Sequence, residues 1–348
     1  MNKFRNKQAI VEFIFAATII TAVLLWGKEC SQGALKGIYF CAEVLVPSIF
    51  PFMIISVFIA ESGLSEKLGK LSGNICPKLF GVSRNLSAVI IMSMIGGYPV
   101  GARGISALYE NGKINKSDAV KAAYFAVGAG PGFLITYVGV SLLASRETGL
   151  CLLTAQILSV IIIGVLNKFI ITEKDGYNSN IELCKTFPSF TSAVTKSVIS
   201  SAYGMLEMCG MVVAFSAVIG IAEKHFSDNT VYLNVALEVT AACNLLAENN
   251  NVILIAFATG FGGLCVHFQI FTALKKIKIN KVLFFVYRII QGLLTALFTF
   301  IFINIFNISL PVFSSVKAPL NLSLSTSAIG SALLILCAVS FIYSIKKL

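Results

Sequence analysis

Apolar residues run along this chain in long blocks separated by short polar stretches rich in lysine. Four blocks, 122–145, 148–167, 289–316 and 318–345, contain no charged residue. Four more contain a single ionisable group: Glu12 in 8–27, Glu43 in 37–60, Glu207 in 197–222 and His267 in 249–274. A helix of about 20 apolar residues spans a hydrocarbon core, so the pattern predicts roughly eight to ten passages across or into a bilayer. The predicted fold is all-α, a polytopic transmembrane helical protein with no sizeable soluble domain. Its apolar segments fall near 9–26, 37–60, 87–108, 119–144, 150–171, 198–222, 233–247, 252–274, 282–306 and 326–345.

Two of these segments do not read as simple crossings. The 37–60 segment holds Pro47 and Pro51, and proline removes a helix donor and clashes with the preceding turn. The 233–247 segment is short and contains Glu238 and Asn244, which predicts a dip into the protein. Between 61 and 86, Leu64, Leu68, Leu71, Ile75 and Leu79 share one helical face, with Lys67, Lys70 and Lys78 off it. That pattern predicts a helix lying at the membrane surface.

A repeat runs beneath the blocks. Tyr39 and Glu43 recur as Tyr203 and Glu207, and Ile59-Ala60-Glu61 recurs as Ile221-Ala222-Glu223. Gly96-Gly97 recurs as Gly262-Gly263, and Lys113-Ile114-Asn115-Lys116 recurs unchanged as Lys278-Ile279-Asn280-Lys281. The predicted organisation is a first transmembrane helix (1–32), a membrane repeat (33–171), a polar loop (172–192), a second repeat (193–306) and a last transmembrane helix (307–348).

Composition agrees. Residues are 57% hydrophobic and 12% charged, with mean hydropathy +0.86, whereas soluble domains carry about 25% charged residues. The net charge of +11 belongs to the loops, where it sets topology and meets anionic headgroups; no basic stripe with aromatics suggests nucleic acid. The loops 109–121, 168–197 and 275–281 carry the lysines and are expected on the cytoplasmic side; 223–230, with Glu223, Lys224 and Asp228, is expected outside. A cytoplasmic N-terminus, Met1–Lys7, then requires one early segment, the proline-broken 37–60, to enter without crossing. Parallel and inverted repeats both stay open. Most of the nine cysteines lie inside apolar segments without C-x-x-C spacing, as buried small hydrophobes.

Ionisable groups at membrane depth are costly and face protein or a water-filled cavity. Glu43, Arg103, Glu207, Glu238, His267 and Arg288 are such groups. Glu43 and Glu207, at matching repeat positions, are candidates for proton coupling or for pairing helices, and Glu238 is a second proton-coupling candidate. The stretch 95–103, with Gly96, Gly97, Tyr98, Pro99 and Arg103, places glycine and proline at membrane depth, and 128–132 does so again. Such sequences break helices and free backbone groups, which is tolerated only inside protein or around a cavity; secondary transporters build substrate sites in this way. Gly262, Gly263, His267 and Gln269 form the matching stretch of the second repeat. The candidate cavity is lined by Gly96, Gly97, Tyr98, Pro99, Arg103, Gly262, Gly263, His267, Gln269 and Glu238.

The Gly96–Arg103 run, the Gly262–Gln269 run and the Glu238-Val239-Thr240 segment resemble the YlbJ-type sporulation integral membrane proteins, grouped with the nucleoside-recognition, or Gate, domain proteins. The resemblance covers most of 33–305. It implies a multi-pass protein of the bacterial cytoplasmic membrane, required for sporulation, with a domain similar to nucleoside transporters and to the gates of ferrous-iron transporters. Two functions follow as expectations: a transporter or channel for a small polar, nucleoside-like solute, and, as the alternative, a scaffold assembling with sporulation partners. The expected partners are lipids and an unidentified small polar solute; a second copy of the chain and other sporulation membrane proteins are further candidates. No catalytic, metal or cofactor site is expected. H-E-x-x-H, G-x-S-x-G and P-loop patterns do not occur.

Overall fold

Within hydrocarbon a backbone N–H or C=O has no water to bond, so an apolar block folds into the helix that bonds its own groups. Every regular element among the described residues of this computed structural model (2–72, 74–170, 189–225 and 230–308) is helical. The expected C-terminal helix of 307–348, from residue 309 on, and most of the polar loop 172–192 lie outside the described residues.

Among the described residues, six segments after the first helix run from one face of the bundle to the other. Five are continuous enough to count as long apolar helices: Gly27–Glu61, Arg146–Ile170, Phe190–His225, Val252–Ala273 and Lys281–Phe306. The sixth is split into Lys116–Phe125 and Gly132–Leu142 by an unwound stretch. Before them, Asn2–Leu25 is a separate helix ending at Trp26, with Phe13, Leu24 and Leu25 exposed.

The prolines do not keep Gly27–Glu61 from crossing. At Cys41–Leu45 the helix widens into a π turn, where the Val46 N–H bonds the Cys41 carbonyl five residues back. Ser48 Oγ donates to the Val44 carbonyl (2.5 Å). The slack of a π turn absorbs the donors missing at Pro47 and Pro51. The early segment that enters without crossing is instead 87–108. Ser87–Gly96 descends, Gly97 turns the chain, and Tyr98–Glu110 returns beside it. The arms touch so closely that a Cβ on Gly101 would lie 2.5 Å from Ser93 Cβ, and one on Gly104 2.7 Å from Val89.

A second hairpin, Thr230–Leu237 and Val239–Glu248, enters from the opposite face, with Glu238 in an extended conformation between its arms. The short 233–247 segment therefore dips and returns, as its length and polarity suggested.

The basic loops share one face. Lys196 bonds Glu61 (2.7 Å), Lys276 bonds Glu110 (2.7 Å), Lys113 Nζ donates to the Ala60 carbonyl (2.6 Å) and Lys168 Nζ to the Lys78 carbonyl (2.8 Å). On the opposite face Lys36 meets Glu223 (3.3 Å) and Lys224 meets Glu29. Cysteine labelling in intact cells should therefore protect positions 196 and 278 and expose 224; labelling of 278 from outside would refute this arrangement.

The two halves of the described chain run in opposite senses. The two long helices pack antiparallel, Gly33 against Ser216 and Ala217, Met53 against Gly204. The Ile-Ala-Glu matches become reciprocal ion pairs, Glu61 with Lys196 and Glu223 with Lys36. Each hairpin is followed by a ten-residue half-helix capped by an asparagine: Asn115 accepts from Asp118 N before Lys116–Phe125, and Asn251 from Leu254 N before Val252–Phe261. Both half-helices end in a glycine-containing break, 126–131 and Gly262–Gly263. By element order, Gly97 stands at the first tip where Glu238 stands at the second, and Asn115 and Asn251 cap the half-helices that follow, an order that differs from the pairing of Gly96-Gly97 with Gly262-Gly263. The identical Lys-Ile-Asn-Lys runs share a local task instead, since Asn280 also caps a crossing helix that starts on the basic face.

Candidate functional site

The two hairpin tips meet in the middle of the bundle and enclose a cavity. About 560 Å³ is free of atoms, including its open mouth, with space at the centre for a few waters. The first tip supplies Gly96, Gly97, Tyr98 and Pro99, and the second Glu238, Val239 and Thr240. The helix breaks add Gly130, Gly132, Val266 and Gln269, and the two long helices Ser48 and Met208. The returning arms, Tyr98–Glu110 and Val239–Glu248, both start at the cavity, so their helix N-termini converge on it.

Gly97 turns the first tip at φ 93°, ψ −170°, a conformation essentially reserved for glycine. Pro99 follows in the first turn of the returning helix, where its missing N–H removes no bond. Tyr98 is buried, and its hydroxyl donates to the Thr259 carbonyl beside the second break. Glu238 is 4% exposed, and its Oε2 accepts the Ala241 N–H at 2.7 Å, capping the helix it starts. None of the ion pairs among the described residues involves Glu238. Gln269 is 8% exposed, and its Nε2 donates to Cys265 Sγ at 3.3 Å. The cavity wall is thus apolar with a few fixed polar groups, a carboxylate among them, as small-molecule sites are.

Six of the ten expected residues line this cavity: Gly96, Gly97, Tyr98, Pro99, Glu238 and Gln269. Four do not. Arg103, on the returning arm, turns away to bond Glu207 on the second long helix. Gly262 and Gly263 lie behind the wall; a Cβ on Gly263 would sit 3.1 Å from the Glu238 amide, so their role is close backbone approach to the second tip. His267 is fully buried in an aromatic nest, stacked on Phe285 at 4.4 Å with Phe261 and Phe284 around it, and its Nδ1 bonds the Gly263 carbonyl. Glu43 is exposed on the first long helix, so the Glu43 and Glu207 positions do not meet, and Glu207 pairs with Arg103 instead. Sequence reading missed Ser48, Phe133, Met208 and Thr240 as lining residues. Two of them had a signal: Ser48 in the neighbouring pair Pro47 and Pro51, and Thr240 in the Glu238-Val239-Thr240 segment.

If Arg103 and Glu207 act only through each other, Arg103→Ala and Glu207→Gln should lower thermal stability similarly, and the double variant should be no worse than either. Additive losses would show that one of them acts elsewhere.

Among the described residues no group of three or more His, Cys, Asp or Glu is placed to hold a metal ion.

Antiparallel long helices, opposed hairpins and a shared central cavity define a polytopic helical membrane protein. No family model matches the chain, and no solved structure does. It is similar to the sporulation integral membrane protein YlbJ of Bacillus subtilis (strain 168), with 23% identity over 323 residues, covering 80% of this chain and 79% of the relative. That likeness bears out the YlbJ-type resemblance of the glycine motifs; it does not extend to a Gate domain.

Proposed function

We propose that the chain moves a small polar, nucleoside-like solute across the bacterial cytoplasmic membrane during sporulation. One observation carries the reading: two hairpins from opposite faces bring their tips together at one central cavity. A scaffold has no need of that arrangement, whereas a carrier needs a central site that each tip can close from its own side. The cavity chemistry suits a solute with an apolar face and several hydroxyl or amino groups. Taking such a solute from water requires replacing its hydrogen bonds, and the polar side chains of Glu238, Thr240, Gln269 and Ser48 supply them. The sporulation role follows from the name of the relative.

Uptake by purified protein in liposomes, across a panel of nucleosides and other small polar metabolites, tests this. At least one solute should accumulate well above empty liposomes, and Glu238→Gln should abolish the signal. No uptake of any solute, together with loss of sporulation on changing only the 275–281 loop, would favour the scaffold.

A further inference from the structure

The unwound stretch after Phe125 leaves a half-helix ending inside the protein. Ala126 is the last residue to bond back in the helical pattern, to Ala122, and the next N–H, of Val127, goes to Phe125. The carbonyls of Tyr124 and Val127 are therefore left to side chains, at the negative end of a helix dipole. One residue takes both. Arg288, on Lys281–Phe306, donates from Nη1 to the Val127 carbonyl (2.5 Å) and from Nη2 to the Tyr124 carbonyl (2.7 Å). Gln291 adds a bond to the Val127 carbonyl at 3.3 Å, and the Phe284 ring lies 5.3 Å from the guanidinium carbon. Arg288 is 0% exposed, and no carboxylate pairs with it among the described residues.

A buried cation without a carboxylate is strongly unfavourable unless other negative groups surround it. Here the counter-charge is the pair of carbonyls at the half-helix end. In broken-helix transporters such carbonyls and half-helix C-termini are where Na⁺ or H⁺ is coordinated. We propose that Arg288 is a tethered cation: its guanidinium permanently occupies a carbonyl cage that would otherwise accept a monovalent metal ion. The second break is closed from within as well, by the neutral Tyr98 hydroxyl on the Thr259 carbonyl. The carbonyls of Tyr124, Val127 and Thr259 are thus all taken by side chains of the chain itself. Where it concerns uptake this rests on the transport reading above, and it then means uptake indifferent to a sodium gradient.

Thermal unfolding of the purified full chain in detergent tests the cage without reference to transport. Wild-type protein should have the same Tm in sodium chloride and in choline chloride at equal ionic strength. Arg288→Ala should melt about 5–10 °C lower and regain part of that shift in guanidinium chloride or sodium chloride at tens of millimolar, with none in choline chloride. Arg288→Lys, which keeps a tethered cation, should melt between the two and ignore sodium; it decides the matter if the alanine variant does not fold. A sodium-dependent Tm in wild type or in Arg288→Lys, or an alanine variant that responds to neither small cation, would overturn the proposal. Absence of uptake would sink the transport reading and leave this result standing.

Discussion

Gly101→Val is expected to prevent the chain from accumulating as folded protein. Gly101 lies on the returning arm of the first hairpin, pressed between the other arm and the unwound stretch. A Cβ there would lie 2.2 Å from the Ala126 carbonyl oxygen and 2.5 Å from Ser93 Cβ. The obstacle at Ala126 is backbone, whose position is fixed by the helix break behind it, so no rotamer change relieves the clash. Overpacking a core costs about 1–3 kcal/mol when neighbours can shift, and here the nearest one cannot. At the tip, Gly97→Ala adds strain of a different kind, since its positive φ costs a residue with a side chain roughly 1–3 kcal/mol. Gly210→Ala is the control, because a Cβ there meets nothing within 4 Å. Size-exclusion profiles after detergent extraction should show a monodisperse peak for Gly210→Ala and loss of it for Gly101→Val. A stable Gly101→Val protein would mean that the hairpin does not rest on the unwound stretch.

These glycines mark how far the sequence could be read. Glycine and proline at membrane depth announced that 95–103 and 128–132 would not be plain helix, because nothing else explains such residues among long apolar runs. Which way the chain turns at such a break was not legible. Gly97 reverses the chain and Gly262–Gly263 redirects it without reversal, yet both appear as a glycine pair. The difference is set by what packs alongside, Gly128–Gly130 against the first and the Leu237–Glu238 backbone against the second. The lysine-rich loops were legible as one face because charge near helix ends acts through the membrane and not through packing.

The same limit applies to the charged residues. Arg103, Glu207, Glu238, His267 and Arg288 all stand out as ionisable groups in apolar segments, and they fall into four different environments. Two pair with each other, one sits in an aromatic nest, one caps a half-helix end, and one alone faces the cavity. Spacing along the chain does not separate these cases, since each depends on a helix distant in sequence: Arg103 is 104 residues from Glu207, and Arg288 is 164 from Tyr124.

Glu238→Gln is expected to leave a folded protein that no longer supports sporulation. Glu238 has two tasks that substitutions can separate. Its side chain caps Val239–Glu248 through the Ala241 amide, and the same carboxylate stands on the cavity wall. Gln keeps an oxygen for the amide and loses the ionisable group, so its Tm should stay near wild type while activity disappears. Asp keeps the ionisable carboxyl group and is a favoured capping residue, so it should fold and retain part of the activity. Ala loses both, and the missing cap alone costs about 0.5–2 kcal/mol; it should melt lower and be inactive. Spore counts in a complemented host lacking its own copy, measured beside membrane abundance, tell these outcomes apart. If Glu238 were only a cap, activity would follow Tm across the three variants, and Gln would pass as wild type. Full sporulation with Glu238→Gln at normal abundance would remove the carboxylate from the working site and with it the strongest chemical argument for a solute in the cavity.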